Sequence, residues 1–506
     1  MNHLLTGTLG CSLRALILAA AVSPAAAAPS YVITDLGTLP GFAASAGYSI
    51  NNFGQVSGSA ATDAKIVLTG TIHGFLWTPV AVNSSIGSMT DLGAAEVGSS
   101  GATKINEYGQ VILNGSWPGV GGNVAFLWTP TAARGSTGSA LPIVSTSFPS
   151  SVFGINNLGQ LVGRMYPGTS FVWTPDARNG TTGATNHTLT QGANGPYYAP
   201  GYNNFGYADA INDSGQVTGS VVLDPYGRPF IHNNGRVSFP AQNPYDFGTL
   251  GAGDVLGPPF QYNNQEGAGA MVAINAVGHA AGNRVFVDAQ GQAALLPAFW
   301  DGSQFHGIGI ASGYSALGIN KQDDVVGYTL LANANGQSGA FLYRKGVLTE
   351  LRDLVDPSLG WRLDRAWAIN DAGQIVGEGV LGGVTRAFLM TPGTADVSAQ
   401  VMVTRHGLRY SGNLKAFFQD VTLTNTGAAT VTGPLSLVLA GLSAGVTLVN
   451  ATGTTLVETP AGRPFINASA ASLAAGAQLT ITLRLGDPAD VPIRYSTQVL
   501  AGTGTR

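Results

Sequence analysis

The stretch INNFGQVSG, running from Ile50 to Gly58, decides the fold. It returns as INEYGQVIL from Ile105, INNLGQLVG from Ile155, INDSGQVTG from Ile211, INAVGHAAG from Ile274, INKQDDVVG from Ile319 and INDAGQIVG from Ile369. Asp323 stands where the other copies carry glycine. The copies are spaced 55, 50, 56, 63, 45 and 50 residues apart, a period that belongs to repeat architectures. Physically, Asn-x-x-Gly between two β-type runs is a tight hairpin. The asparagine side chain bonds to backbone two residues on, and glycine supplies the positive φ of the turn.

Working outward, each copy is followed by an aromatic strand: HGFLWTP at His73, AFLWTP at Ala125, FVWTP at Phe171, PFIHNNG at Pro229, AFWDG at Ala298, AFLYRKG at Ala340 and AFLMTPG at Ala387. A third cue, Asp-Leu-Gly or a relative, appears as TDLGTLPG at Thr34, TDLG at Thr90, DFGTLG at Asp246 and ELRDLVD at Glu350. Each unit therefore supplies about four short strands. A lone sheet of that size cannot cover both its faces, whereas seven closed into a circle can. The expected fold is all-β, with a seven-bladed β-propeller over 28–394. Trp77, Trp128 and Trp173 occupy equivalent strand positions and are expected in the inter-blade core, with Trp300 one residue out of step.

Beyond Gly393 the repeat stops. The segment 395–506 reads as six to eight strands, among them KAFFQDVTLTN and GPLSLVLAGL, which alternate like facing strands of a sandwich. An immunoglobulin-like or fibronectin-like β-sandwich is expected there.

The three repeat cues together resemble the bacterial HAF-type extracellular repeats, named for a His-Ala-Phe motif, over about Tyr31 to Gly393. His73 occupies the histidine position, with Gly74 in place of the alanine. The other units carry Val124, Thr169, Arg228, Pro297, Gly339 and Arg386 there. The resemblance supports the fold and export and carries no catalytic residues across. The C-terminal segment resembles accessory β-sandwich domains of exported bacterial proteins.

Arg14 precedes ALILAAAVSPAAAA, the basic, apolar and small-residue order of a secretory signal peptide over 1–27, with cleavage expected after Ala27. The single cysteine, Cys11, lies inside it, so disulfides are not expected to hold the mature chain together. The expected location is secreted, periplasmic or extracellular. No later stretch is apolar and long enough to span a bilayer.

Glycine accounts for 71 of 506 residues and charged side chains for only 10 %, at a formal charge of −4. Disorder driven by charge is excluded by the 44 % hydrophobic content, and attraction to nucleic acid is not expected. No zinc-protease, nucleophile-elbow, phosphate-loop or Cys/His cluster pattern occurs. His73 and His232 read as rings packed beside their strands. The Asn212-Asp213, Asn370-Asp371 and Gln322-Asp323-Asp324 turns offer too few convergent oxygens for calcium, so no metal and no cofactor are expected. No catalytic residue is assigned.

Acidic residues that break the repeat pattern are better candidates. Asp209 stands two residues before Ile211, where the first and last units carry Tyr48 and Trp367; Glu266 and Asp364 also fall outside the shared cues. The segment NGPYYAPGYNNFGYAD, ending at Asp209, is dense in aromatics suited to stacking on sugar rings. Tyr197, Tyr198, Tyr202 and Asp209 are the candidate ligand-binding residues. The expectation is a monomeric, non-catalytic binding or surface-interaction protein whose propeller face or rim recognises an extracellular macromolecule or glycan. The alternative is a propeller glycoside hydrolase or polysaccharide lyase using carboxylates at the central funnel.

Overall fold

The computed structural model describes residues 31–64, 71–93, 100–116, 123–143, 150–165, 169–186, 206–223, 226–233, 236–238, 271–287, 293–308, 314–329, 339–432, 434–455, 462–468, 472–488, 490–502 and 506. The repeat region forms seven four-stranded antiparallel sheets, and the chain is an all-β protein, a seven-bladed propeller followed by a β-sandwich. Blade 1 runs Ala44–Ile50, Val56–Ala61, Ile72–Pro79 and Gly87–Asp91 from the axis outward. The innermost strands of blades 2 to 7 are Ser100–Ile105, Ser150–Ile155, Gly206–Ile211, Met271–Ile274, Tyr314–Ile319 and Arg362–Ile369. Each inner strand touches that of the next blade, and blade 7 touches blade 1, so the circle is complete.

Closure uses the start of the chain. Tyr31–Asp35 is the outermost strand of blade 7, paired antiparallel with Val384–Pro392 from Tyr31↔Pro392 to Asp35↔Phe388. The first Asp-Leu-Gly cue therefore completes the last unit, whereas blades 1 to 6 take their outer strand from the segment after their own aromatic cue.

The hairpin signature explains itself in the structure. Asn51 Oδ1 accepts the Gln55 amide at 2.9 Å, and six of the seven turns place glycine at positive φ, between 75° and 94°. In blade 6 Asp323 takes that conformation at φ 62°. The glycine that ends the motif has a second cause: a Cβ on Gly58 would lie 2.0 Å from the Ala46 carbonyl oxygen and 2.5 Å from the Phe75 ring.

What the turn reading did not contain is a loop of side-chain bonds around the axis. Asn51 donates from Nδ2 to the carbonyl of Asn106 (3.1 Å), Asn106 to Asn156 (3.1 Å) and Asn156 to Asn212 (3.0 Å). Asn212 donates to Asn275 (3.1 Å), Asn275 to Asn320 (2.9 Å), Asn320 to Asn370 (3.2 Å), and Asn370 back to Asn51 (3.1 Å). All seven asparagines are buried. The glutamine four residues on extends the clamp. Gln55 Nε2 reaches Thr78 Oγ1 in its own blade and the Arg134 carbonyl in the next, and Gln374 does the same with Thr391 and Asn83.

The aromatic cue fills the space between blades. Phe75, Phe126, Phe171, Phe341 and Phe388 are fully buried, and Trp77, Trp128 and Trp173 nearly so. Blade 5 corrects the sequence reading. Trp300 pairs with Ala280 as Trp77 pairs with Val56, so the tryptophan is in step and the Ala-Phe pair is displaced. Ala298 takes the place of the buried phenylalanine, and Phe305 from the outer strand packs on Trp300 with ring centroids 5.0 Å apart. Packing fixed the larger ring, not the motif spelling.

In the sandwich, one sheet runs Ala395–Asp396, Ser496–Ala501, Leu435–Ala440, Pro464–Asn467, Gly453–Thr454. The other runs Val401–Arg405, Ala416–Asn425, Gln478–Gly486, Thr447–Leu448. Leu423 and Leu483 from the second sheet meet Leu435, Leu437 and Val499 from the first in one buried cluster.

Candidate functional site on the propeller axis

Every inner strand carries a register shift at the same place. The unpaired residues are Tyr48, Thr103, Phe153, Asp209, Val272, Leu317 and Trp367, each two residues before the motif isoleucine. A bulge adds one residue against its partner strand and re-aims a side chain. The residues immediately before them, from Gly47 to Ala366, are buried, whereas all seven bulged residues are partly exposed. Neighbouring blades cover both faces of each sheet, so solvent reaches these residues along the axis. They stand three residues, roughly 10 Å of strand, from the asparagine loop.

This ring is mostly apolar, with three aromatic side chains and one carboxylate. Tyr48 and Trp367 meet edge to face, centroids 5.5 Å apart. Arg365 lies over both Trp367 (5.9 Å) and Tyr328 of blade 6 (5.0 Å), and it is paired with Glu378 at 2.8 Å. Burial pushes the Tyr48 hydroxyl up to about 12, helped by the charge of Glu378. Burial also raises Glu378, against the pull of Arg365.

A second layer supports the bulges from behind. In four blades a residue at one position of the second strand acts on the next blade's inner strand. Asn114 accepts from the Val152 amide and donates to its carbonyl, and Asn283 accepts from the Ala316 amide. Arg164, at the same position in blade 3, acts on Asp209, and Glu378 in blade 7 acts on Tyr48.

Asp209 is the ring's single charged member. In a sevenfold circle, blade 4 lies across the axis from the junction of blades 7 and 1, where Tyr48 and Trp367 meet. Burial raises the Asp209 carboxyl to about 7, against the lowering fields of Lys104 and Arg164. Burial lowers Lys104, opposed by Asp209. A carboxyl raised from 3.8 to about 7 in the fold favours the protonated state, so its contribution is fullest below pH 4 and is lost as pH climbs through 7. Asp209→Asn is therefore expected to raise the melting temperature at pH 8 and to leave it little changed at pH 4. Melting curves of both proteins across that range check it.

The remaining sequence candidates separate from this site. Tyr197, Tyr198, Tyr202 and Glu266 lie outside the described residues, as does the His232 side chain. Asp364 is held on its own strand by Arg362, at 2.7 and 2.9 Å. His73 bonds Asp91 at 2.9 Å beside the Phe42 ring, as the packing reading expects. The turn carboxylates are likewise occupied: Asp213 accepts from the Asn157 amide and side chain, and Asp371 from the Lys321 amide and Asn52. Among the described residues no group of three or more His, Cys, Asp or Glu is placed to hold a metal ion. None of their helices is long and apolar enough to cross a membrane.

No family model and no curated protein matches this chain. Among solved structures it is similar to the β-propeller domain of the Trilobed protease from Pyrococcus furiosus, at 9 % identity and a TM-score of 0.28, covering 75 % of this chain and 89 % of that one. It is also similar to Trypanosoma rangeli sialidase in complex with a difluoro-KDN, at 9 % identity and a TM-score of 0.33, covering 84 % and 90 %. The acylaminoacyl peptidase of Pyrococcus horikoshii gives 8 % identity and a TM-score of 0.30, covering 80 % and 62 %. Likeness at this level carries nothing about a reaction or a ligand.

Proposed function

We propose that the protein is an exported, non-catalytic binding protein whose propeller recognises an extracellular glycan at the axis. The observation that carries this reading is the ring of seven bulged residues. The same distortion in every blade turns one side chain toward solvent, and three of the seven are aromatic. Flat aromatic faces beside hydrogen-bonding groups suit a sugar, which presents apolar C–H faces and polar edges. Export is supported by the Arg14-led signal sequence and by the resemblance to extracellular repeats.

Hydrolysis by a carboxylate pair calls for two acidic groups across the scissile bond. The ring supplies one, Asp209, and Glu378 behind it is bonded to Arg365. Binding therefore fits the site better than catalysis.

A panel of neutral and acidic oligosaccharides, read by melting temperature, tests the reading, because any ligand of the folded state raises it. At least one glycan is expected to stabilise the protein. Trp367→Ala is expected to weaken that glycan by about tenfold, ~1.4 kcal/mol. A panel without any shift, or a shift that survives Trp367→Ala unchanged, overturns an axial site.

A further inference from the structure

We propose that the β-sandwich docks on an anionic lipid surface through the hairpin tip around Leu414, its apolar side chains entering the interface and its cations meeting the headgroups.

The edge of the second sheet ends in an overhang. Val401–Arg405 and Arg409–Ser411 lie in turn along Ala416–Asn425, with the register slipping by one residue between Arg405↔Val421 and Arg409↔Phe418. On its other side Ala416–Asn425 pairs with Gln478–Gly486 only from Thr424↔Gln478 to Phe417↔Leu485. The Ser411↔Ala416 pair and the turn it closes therefore reach beyond the last of those pairs. From Thr404 to Lys415 every residue except Ser411 is exposed.

A projecting tip in water ordinarily carries small polar side chains. This one carries Leu408, Tyr410 and Leu414, which are 42 %, 61 % and 51 % exposed, while Leu423, Leu435, Leu437 and Leu483 are wholly inside the sandwich. Tyr410 leans on Phe417, which itself packs on the core, with ring centroids 5.0 Å apart. The ring is thus anchored with most of its surface in water.

The charges nearby are mostly of one sign. Between Val397 and Gln419 the chain carries Arg405, Arg409 and Lys415 and no Asp or Glu. Lys415 has φ 46°, a left-handed position that glycine takes without strain, so a lysine there has a conformational cost. Arg409, Phe418 and Arg484 stand opposite one another across three strands, which adds a fourth cation. Asp420, bonded to Arg409 at 2.7 Å, is the one acid in the strands of this sheet. Asp487, just past Gly486, is turned to the Val491 amide.

Aliphatic side chains among cations match a bilayer surface, where the acyl boundary takes the former and the phosphates the latter. Tyrosine belongs at the headgroup level between them. A soluble acidic polymer or protein would engage the cations and leave Leu408 and Leu414 in water.

Sedimentation of the mature chain with vesicles of phosphatidylcholine alone, or with an equal part of phosphatidylglycerol, tests this. Expected is binding at least about tenfold stronger to the anionic vesicles, weakening as salt is raised. Lys415→Glu, and Leu408→Ser combined with Leu414→Ser, should each lower it by about tenfold, with the melting temperature little changed because these side chains are exposed. Insertion is read separately. Cys11 is the single cysteine of the sequence and precedes Ala28, so Asn413→Cys gives the mature chain one site for a polarity-sensitive fluorophore. Its emission should shift to the blue with anionic vesicles and stay unshifted with dextran sulfate. Equal binding to both vesicles, or to neither, overturns the assignment and leaves the axial site untouched. Binding that survives the two serine substitutions with an unshifted label also overturns it, and marks the occupant as an acidic polymer.

Discussion

Asn370→Ala is expected to cost about 3–5 kcal/mol of stability, the sum of a few orphaned buried groups at about 1–3 kcal/mol each. Its side chain donates to the Asn51 carbonyl and to Gln374, and it accepts from the amides of Ala372 and Gln374. Alanine leaves the two amides and the Asn51 carbonyl without those partners, in a buried site at the junction where the circle closes. Denaturant unfolding of wild type and variant measures the loss. Asn52→Ala is the control, because its side chain bonds Asp371 in an exposed setting and its amide keeps its bond to Glu107. That change should cost under about 1 kcal/mol. Equal effects from the two variants would show that the loop of asparagines is not what holds the turns.

The second large effect lies in blade 6. There the Gln–Thr pair of blades 1, 2, 3 and 7 is replaced by Asp324 and Arg344, which meet in a two-pronged bond at 2.9 Å on each prong. Arg344 also donates to the Tyr31 hydroxyl at 3.1 Å, and Tyr31 donates to the Gly373 carbonyl, so the pair latches the closing strand. The Asp324 side chain is only 9 % exposed. Arg344→Thr removes the cation and leaves a nearly buried carboxylate, at an expected cost of about 2–4 kcal/mol, somewhat below the fully buried case because the guanidinium is partly in water. Asp324→Gln combined with Arg344→Thr installs the pair found in blades 1, 2, 3 and 7. It should recover most of that loss, giving a coupling energy of at least 1 kcal/mol in a double-mutant cycle. Independent, additive effects would refute the exchange.

Much of the fold could be read from the chain because its rules are local. The Asn-x-x-Gly turn needs its asparagine and its positive-φ residue within five positions, and the repeat prints that requirement seven times. The loop of amide bonds between blades was not visible, since the same asparagine satisfies a hairpin reading completely with Oδ1 alone. Only coordinates show where Nδ2 goes. Blade 5 misled the sequence reading because Ala298-Phe299 copies the spelling of the buried Ala-Phe pair, while Trp300 keeps the tryptophan register and leaves Ala298 in the phenylalanine's place.

The axial ring was half legible. Asp209, Tyr48 and Trp367 stood out as departures at one offset from the isoleucine, yet the seven residues there share no chemistry. What they share is a backbone bulge, which leaves no mark in composition. Lys104 was missed although its signal was present: it is the one charged residue in the column of Ser, Gly and Ala just before the motif isoleucine.

The partner of Tyr31 at the ring's seam, Gly373, lies 342 residues further along the chain. The earliest strand to be made thus has to wait for nearly the whole propeller before it finds its place, and a loop of that length is slow to close. A chain cut short of Val384–Pro392 has no partner for Tyr31–Asp35, so the seam forms only once blade 7 is present.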